Sequence, residues 1–270
     1  MQKYSLEQAR KGRSIGFIPT MGYLHKGHLS LIRAAVRDCD VVVVSIFVNP
    51  IQFGPKEDLK KYPRDIERDS ALLSKTGVDI LFHPSAKAMY PEGFGTYIDF
   101  DIISDRLCGA LRPGHFRGVA TVVNKLFNIV KPDVAYFGLK DYQQQLIIKK
   151  MARELDMGIK IISLPTVREP DGLAMSSRNK YLGSEERTKA VLISRSLMLA
   201  KELKSSGVRS SNIIRSKMNK LLSSKPGISI DYISVVHPGT LNEKKNVSGR
   251  TLIAVAARIG GTRLIDNIEI

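Results

Sequence analysis

The chain has 270 residues, 43% of them hydrophobic and 25% charged, enough to bury one large core or one large core and one small one. No run of 18 or more apolar residues occurs, so nothing in the sequence reads as a membrane span, and the opening MQKYSLEQARKGRS lacks the apolar stretch of a secretory signal. The net charge of +16 raises a nucleic-acid surface as a hypothesis, but it is spread as +7 over residues 1–179 and +9 over 180–270, along helix faces and without interleaved aromatics, which favours a solvated surface that attracts anionic nucleotide.

SIGFIP (14–19) reads as a buried strand, followed by a glycine-containing loop and a helix from about His28 whose apolar stripe is Leu29, Ile32, Val36 and Cys39. The β-branched run VVVVSIFV (41–48) reads as a buried parallel strand. A helix at 65–76 leads to a strand at 79–82, and a second cycle follows: helix 118–130, strand 133–137, helix 141–155, strand 159–164. Strands separated by helices of this length imply a parallel sheet with right-handed crossovers. After about residue 180 the alternation stops. Two amphipathic helices (184–205 and 210–223) precede three strand-like runs (228–236, 251–259 and 262–268), the order of a small α+β unit. The two cysteines, Cys39 and Cys108, have no metal-ligand spacing and read as reduced thiols of a cytoplasmic protein.

Two segments carry chemistry. PTMGYLHKGHLSLI (19–32) runs from a strand end through Gly22 and Gly27 into a helix, with His25 and His28 three residues apart. A helix start offers backbone N–H groups and the positive end of a dipole, and imidazole donates hydrogen bonds to phosphate oxygens. GLAMSSRNKYL (172–182) places Ser176, Ser177 and Arg178 together in a loop, a set that can hold phosphate oxygens and offset their charge. An early HxGH loop paired with a late serine-basic loop marks the adenylate-forming nucleotidyl-transfer class.

The whole chain resembles the pantothenate synthetase (pantoate–β-alanine ligase) family. The resemblance rests on PTMGYLHKGH, on SIFVNPIQFGPKEDLKKYPR (45–64), on RPGHFRGVATVVNKLFNIVKPDVAYFG (112–138), on KDYQQQLIIKKM (140–151), on MSSRN (175–179) and on RLIDN (263–267), all in order. It implies that the stretch Met21, Gly22, Tyr23, Leu24, His25, Lys26, Gly27 and His28 binds ATP, with His28 catalytic and His25 beside the nucleotide. It implies the same of Gly138, Leu139, Lys140 and Asp141, with Lys140 on phosphate, of Val167 at adenine, and of Met175, Ser176, Ser177 and Arg178 as the closing phosphate loop. Gln52 and Gln144 are implied to hold pantoate. Neutral amides suit that task, because they bind a hydroxy acid without quenching its carboxylate in an ion pair. On spacing alone any of Gln143, Gln144 and Gln145 can be the inward residue. Position 139 is Leu where the family often has a polar residue, between Gly138 and Lys140, whose roles do not depend on it.

Taken together these readings predict a Rossmann-like doubly wound α/β sheet with a smaller C-terminal α+β domain. The nucleotide- and pantoate-binding domain is expected over 1–178 and a lid domain over 179–270. The expected reaction joins pantoate and β-alanine at the expense of ATP, through a pantoyl adenylate, with Mg2+ and with His28, Lys140 and Arg178 serving the phosphates. Asp65 or Asp69 is a candidate magnesium ligand, although carboxylates on a charged helix are usually only solvated. The family resemblance also implies a homodimer formed through the N-terminal domain, and neither a nucleic acid nor a membrane is an expected partner.

Overall fold

A computed structural model describes residues 1–55 and 57–270. In chain order it contains α1 (Gln2–Arg10), β1 (Ile15–Thr20), α2 (Lys26–Asp38), β2 (Val41–Ile46), α3 (Ile66–Leu73), β3 (Ile80–Phe82), α4 (Ala86–Met89), α5 (Cys108–Leu111), α6 (His115–Val130), β4 (Val134–Gly138), α7 (Tyr142–Glu154), β5 (Lys160–Leu164), α8 (Ser184–Ser205), α9 (Ser211–Leu222), β6 (Ile228–Val236), β7 (Leu252–Ile259) and β8 (Thr262–Glu269). Contacts divide the chain into two compact units. One comprises residues 1–105, 109–139 and 143–165, and the other 106–108, 140–142 and 166–270.

The first unit is a parallel sheet in the order β3-β2-β1-β4-β5. Its strands are apolar on both faces, as a sheet covered by helices requires. Period-2 alternation sends Ile15, Phe17, Val41 and Val43 into a core with Val119, Val123 and Phe127 of α6. It sends Ile18, Val42 and Val44 to the opposite core, with Leu31, Ile32 and Ala35 of α2. Strand order reverses between β1 and β4, and the carboxyl ends of strands at such a reversal are where doubly wound sheets bind ligands. Thr20 and Gly138 end those two strands.

Several local expectations shift. The helix expected from about His28 begins at Lys26 with His25 as its N-cap. Its buried face is Leu31, Ile32, Ala34 and Ala35, while Val36, placed on the apolar stripe by sequence, is 40% exposed. Close packing explains the turn of the helix. A Cβ on Gly16 of β1 would stand 2.9 Å from Cys39 Sγ and 3.3 Å from Ala35 Cβ, so small residues rather than the larger Val36 face the strand. α6 begins at His115 rather than 118, and α1 is not among the expected elements. Its mean polarity hides a face whose buried members are Ser5 and Gln8. Among the described residues neither cysteine forms a disulfide; Cys39 is half-buried and Cys108 buried.

The second unit is the antiparallel sheet β6-β7-β8, with α8 and α9 packed on it through Ile193, Leu197, Ile214, Met218, Ile253 and Val255. This is the predicted order of two helices and then three strands. On sequence, 166–178 falls in the first domain. In the structure its anchor is β8, because Arg168 forks onto Asp266, which is 3% exposed, at 2.6 and 3.0 Å.

Candidate active site

The loop after β1 is built by inverting the backbone twice and pinning it from α3. Gly22 (φ 84°) and Tyr23 (φ 50°) are both left-handed. Glycine is required at the first of these, since a Cβ there would lie 2.9 Å from Ile46 Cγ2 and 3.3 Å from Asp69 Oδ2. The Asp69 carboxylate, 1% exposed, accepts from Tyr23 N at 2.6 Å, Leu24 N at 2.9 Å and Arg68 NH1 at 3.1 Å. Arg68 also donates to Leu24 O at 2.9 Å and lies 4.7 Å from the centre of the Tyr23 ring. Gly22 N is taken by Thr20 Oγ1 at 3.1 Å. The N–H groups of 22–24, which a glycine loop before a helix suggests are offered to phosphate, are therefore used to hold the loop itself. Leu24 is fully buried in the core rather than facing a ligand.

What the loop presents instead is a pair of imidazoles with assigned protons. His25 caps α2: its Nδ1 accepts from Gly27 N at 3.1 Å. His28 returns the bond, its Nδ1 accepting from His25 N at 3.2 Å, which closes a reciprocal capping box. The two rings stack with centroids 4.0 Å apart. A backbone N–H can only donate, so both Nδ1 atoms are acceptors and both ring protons sit on Nε2. The pair thus consists of neutral Nε2–H donors. Lys26, the first helical residue, is exposed.

Gln52 ends the 3-10 turn Pro50–Gln52 and is 7% exposed. Its amide orientation follows from its neighbours. Gly118 O, an obligate acceptor, faces Asn49 Nδ2 at 3.0 Å, so Asn49 Oδ1 is the atom that receives the Tyr90 hydroxyl at 2.7 Å. Asn49 Nδ2 also donates to Gln52 Oε1 at 3.0 Å. That leaves Gln52 Nε2 as the donor, directed at Met21 Sδ 2.9 Å away. Met21 thereby ties this amide to the histidine loop. Close packing fixes the main chain as well, because a Cβ on Gly118 would lie 2.5 Å from Ile51 O and 2.7 Å from Gln52 Cα.

The run Gln143–Gln145 resolves by burial. Gln143 is buried, its Nε2 donating to Ile103 O at 2.9 Å, and Gln145 is buried, its Oε1 accepting from Ser163 Oγ at 2.8 Å. Gln144 is half-exposed and is the one of the three that, among the described residues, has no side-chain hydrogen bond. Of the two magnesium candidates Asp65 is exposed and Asp69 is buried. Asp69 is spent on the loop, and Asp65 caps α3 by accepting from Arg68 N at 3.1 Å. No group of three or more His, Cys, Asp or Glu with metal-binding geometry occurs among the described residues.

In the second unit Lys140 lies in a short 3-10 turn, Leu139–Asp141, with the Asp141 carboxylate 3.7 Å from its ammonium. Asn267 of β8 donates to Lys140 O at 2.8 Å. The segment 166–181 forms a narrow hairpin, with Met175 N donating to Val167 O at 3.0 Å and a bridge between Arg168 and Ala174. The Val167 carbonyl is thus engaged internally. Ser176 caps a 3-10 turn, Ser177–Tyr181, through Arg178 N at 3.3 Å, and Ser177 is buried while Arg178 is half-buried. Asn179 holds the loop to Glu169 at 2.6 Å, and Arg187 of α8 binds Glu169 at 2.6 Å and Asp171 at 2.8 Å. Glu169 and Asp171 are anchors of this loop, and its serines, Arg178 and exposed Lys180 are groups with phosphate chemistry.

Met21, His25, His28 and Gln52 are therefore brought together in the first unit, and Val167 with Met175–Arg178 form a second system. Sequence reasoning missed Asp69 as the loop's clamp and Asn49 as the orienting group for Gln52. Both act across the fold, and the one available signal for Asn49 was its place in the FVNPIQF block.

Comparison with known proteins agrees. The family model described as pantoate-beta-alanine ligase matches residues 1–269. The pantothenate synthetase of Moorella thermoacetica is 53% identical over 99% of this chain and 95% of its own length, and that of Heliobacterium modesticaldum is 53% identical over 100% and 96%. The crystal structure of pantothenate synthetase from Thermus thermophilus superposes with a TM-score of 0.92 at 47% identity, covering 94% of this chain and 92% of that one. The Francisella tularensis pantoate-beta-alanine ligase, described as complexed with beta-gamma ATP and beta-alanine, has a TM-score of 0.81 at 38% identity over 98% and 94%. By sequence over its full length and by fold, the chain belongs to the pantoate–β-alanine ligase family.

Proposed function

We propose that the chain condenses pantoate with β-alanine to give pantothenate, AMP and pyrophosphate, through a pantoyl adenylate. The observation that carries this reading is the tie between Met21 and Gln52, 2.9 Å. It ties an amide donor suited to a hydroxy acid to the loop that carries two neutral imidazole donors suited to phosphate.

In the first step a pantoate carboxylate oxygen attacks the α-phosphorus of ATP. The new P–O bond forms as the bond to the bridging oxygen breaks, and pyrophosphate leaves. Gln52, with Gln144, orients the acid, and orienting two bound reactants is worth roughly 7–11 kcal/mol. The Nε2–H groups of His25 and His28 donate to phosphate oxygens as charge develops on them, and because their Nδ1 atoms are already bonded they need no reorientation to do so. Lys140 and Arg178 supply the positive charge that the histidines do not. Met175–Arg178 and Val167 serve the nucleotide. In the second step the amine of β-alanine attacks the acyl carbon, AMP departs, and the ammonium proton is lost to solvent or phosphate. No protein nucleophile is needed.

Magnesium fits this site only as a passenger on the nucleotide. Both oxygens of the Asp69 carboxylate are committed to backbone N–H groups, and exposed Asp65 caps α3 through one oxygen, so phosphate oxygens and water would make up most of its shell, as is usual for this ion. Bound there, it would offset charge on the leaving pyrophosphate. The same reading includes a cytoplasmic location and a homodimer through the first unit. Among the described residues no helix is long and apolar enough to cross a membrane, and light scattering tests the dimer.

Pantoate-dependent exchange of label between pyrophosphate and ATP, followed by release of AMP on adding β-alanine, tests the chemistry. Exchange without pantoate, or none with it, overturns the proposal.

A further inference from the structure

The block RPGH (112–115) and the acidic residue of PKEDL (55–59) have no part in the mechanism above, yet the structure joins them to it. Arg112 forks onto the Glu57 carboxylate, Nε to Oε1 and NH2 to Oε2, both at 2.6 Å. Neither partner is much exposed, the side chains being 15% and 24% accessible. Burial alone would raise the Glu57 carboxyl, but the Arg112 hydrogen bonds and charge outweigh it and hold the group below the ordinary carboxylate range. The remaining terminal nitrogen of Arg112, NH1, lies 2.9 Å from His115 Nε2. The other ring nitrogen, Nδ1, lies 2.8 Å from the carbonyl oxygen of Gln52.

The direction of each bond is forced. A guanidinium has donors only, so His115 Nε2 accepts. The ring proton is then on Nδ1, and it is donated to Gln52 O. This tautomer is the opposite of the one held by His25 and His28. Gln52 is consequently fixed by its main chain through His115 and by its side chain through Asn49, with α6 pressed against its Cα at Gly118.

We propose that Glu57, Arg112 and His115 form a positioning relay that sets the Gln52 amide for the carboxylic-acid substrate, with His115 acting through Gln52 as a positioning residue. This rests on the assignment of Gln52 to pantoate. Glu57 aligns Arg112, Arg112 dictates the His115 tautomer, and the tautomer supplies the N–H that anchors the turn carrying Gln52.

Two amide replacements separate the two ring nitrogens. His115→Asn keeps a donor at the Nδ1 position and loses the Nε2 acceptor, whereas His115→Gln does the reverse. In pantoate-dependent pyrophosphate exchange, His115→Gln and His115→Ala are expected to raise the pantoate KM about tenfold, the loss of one buried hydrogen bond, with the ATP KM unchanged. His115→Asn is expected to recover most of that loss. Equal effects of the Asn and Gln variants, or parallel shifts in both KM values, overturn the relay and leave a structural role alone. Gln52→Ala is run beside them. If it raises the pantoate KM while His115→Gln does not, the relay fails and the substrate reading stands. If Gln52→Ala leaves the pantoate KM unchanged, the substrate reading fails and takes the relay with it. Because a His115 variant can fail by misfolding, the ring tautomer is also read directly by 15N NMR of histidine-labelled parent protein. His115 protonated on Nδ1 is expected, and an Nε2–H ring at that position refutes the relay without any variant.

Discussion

Asp69→Ala is the sharpest test of how the histidine loop is made. The substitution removes the acceptor of two backbone N–H groups, half-buried Tyr23 at 2.6 Å and buried Leu24 at 2.9 Å. Hydrogen bonds to a charged group contribute about 1.5–3 kcal/mol each, so the pair amounts to about 3–6 kcal/mol. The Arg68 side chain is 44% exposed, and its ion pair adds little to that figure. Releasing Tyr23 from its left-handed backbone returns about 1 kcal/mol. The net loss, at least about 2 kcal/mol, corresponds to a fall in Tm of at least about 4 °C for a domain of this size. Because the clamp also sets where the loop enters α2, the exchange rate should fall on the order of 10²-fold, the effect expected of an ångström-scale misplacement. Asp69→Asn retains one acceptor and should lose about half as much as Asp69→Ala. Thermal unfolding by circular dichroism and pyrophosphate exchange measure both. A Tm within about 1 °C of the parent together with an unchanged ATP KM in Asp69→Ala refutes the clamp.

Further outcomes follow from the same contacts. His28→Asn keeps an acceptor at the Nδ1 position and loses Nε2–H, so it should keep the parent Tm and lose most turnover, while His28→Ala should lose turnover and about 1 kcal/mol of helix capping. A His28→Asn variant with near-parental rates rejects the catalytic assignment. Gln144→Ala should raise the pantoate KM without moving Tm, whereas Gln143→Ala and Gln145→Ala should lower Tm, since each breaks a buried bond at 2.9 or 2.8 Å; the reverse pattern points to a different inward glutamine. Gly118→Ala must move the turn 50–52, with a Cβ only 2.5 Å from Ile51 O. It should cost about 1–3 kcal/mol by overpacking and raise the pantoate KM; a parental Tm shows that the contact yields. Glu57 is held below the ordinary carboxylate range by Arg112 against the opposing effect of burial. Its contribution is therefore present above that range and lost as pH falls below it, through the lower folded value, so Glu57→Gln should flatten the acid limb of Tm against pH and leave neutral pH to report only the loss of the Arg112 fork.

The sheet was legible because its information is local. VVVVSI and IGFIP declare buried strands by composition, and the switch from alternation to two helices followed by three strands declares the second unit. The loop after β1 was legible as a motif and misjudged as a device. HxGH shows where imidazoles cluster, but not that Asp69, 46 residues from Tyr23, consumes the backbone donors, nor that each histidine caps the other. Val36 reads as buried because it is apolar and in phase, but the tight fit at Gly16 favours alanines there. The glutamine run defeated spacing because consecutive helical residues share one composition, and only the partners Ile103 O and Ser163 Oγ separate its members. Resemblance supplied Gln52, but the carbonyl bond from His115 that holds it lies 63 residues away and leaves no mark on local pattern.

The capping box has a consequence for proton traffic. Both of its imidazoles accept a main-chain N–H at Nδ1, so neither can take up a second proton without uncapping α2. Helix integrity and ring neutrality are thus one equilibrium, and a triphosphate arriving at the loop meets donors whose protons are already in place. ATP should therefore bind without drawing protons from solution at these two residues, and its calorimetric heat should be the same in buffers of different ionisation enthalpy. A buffer-dependent heat that vanishes in His28→Asn would show that the nucleotide breaks the cap in order to charge the ring.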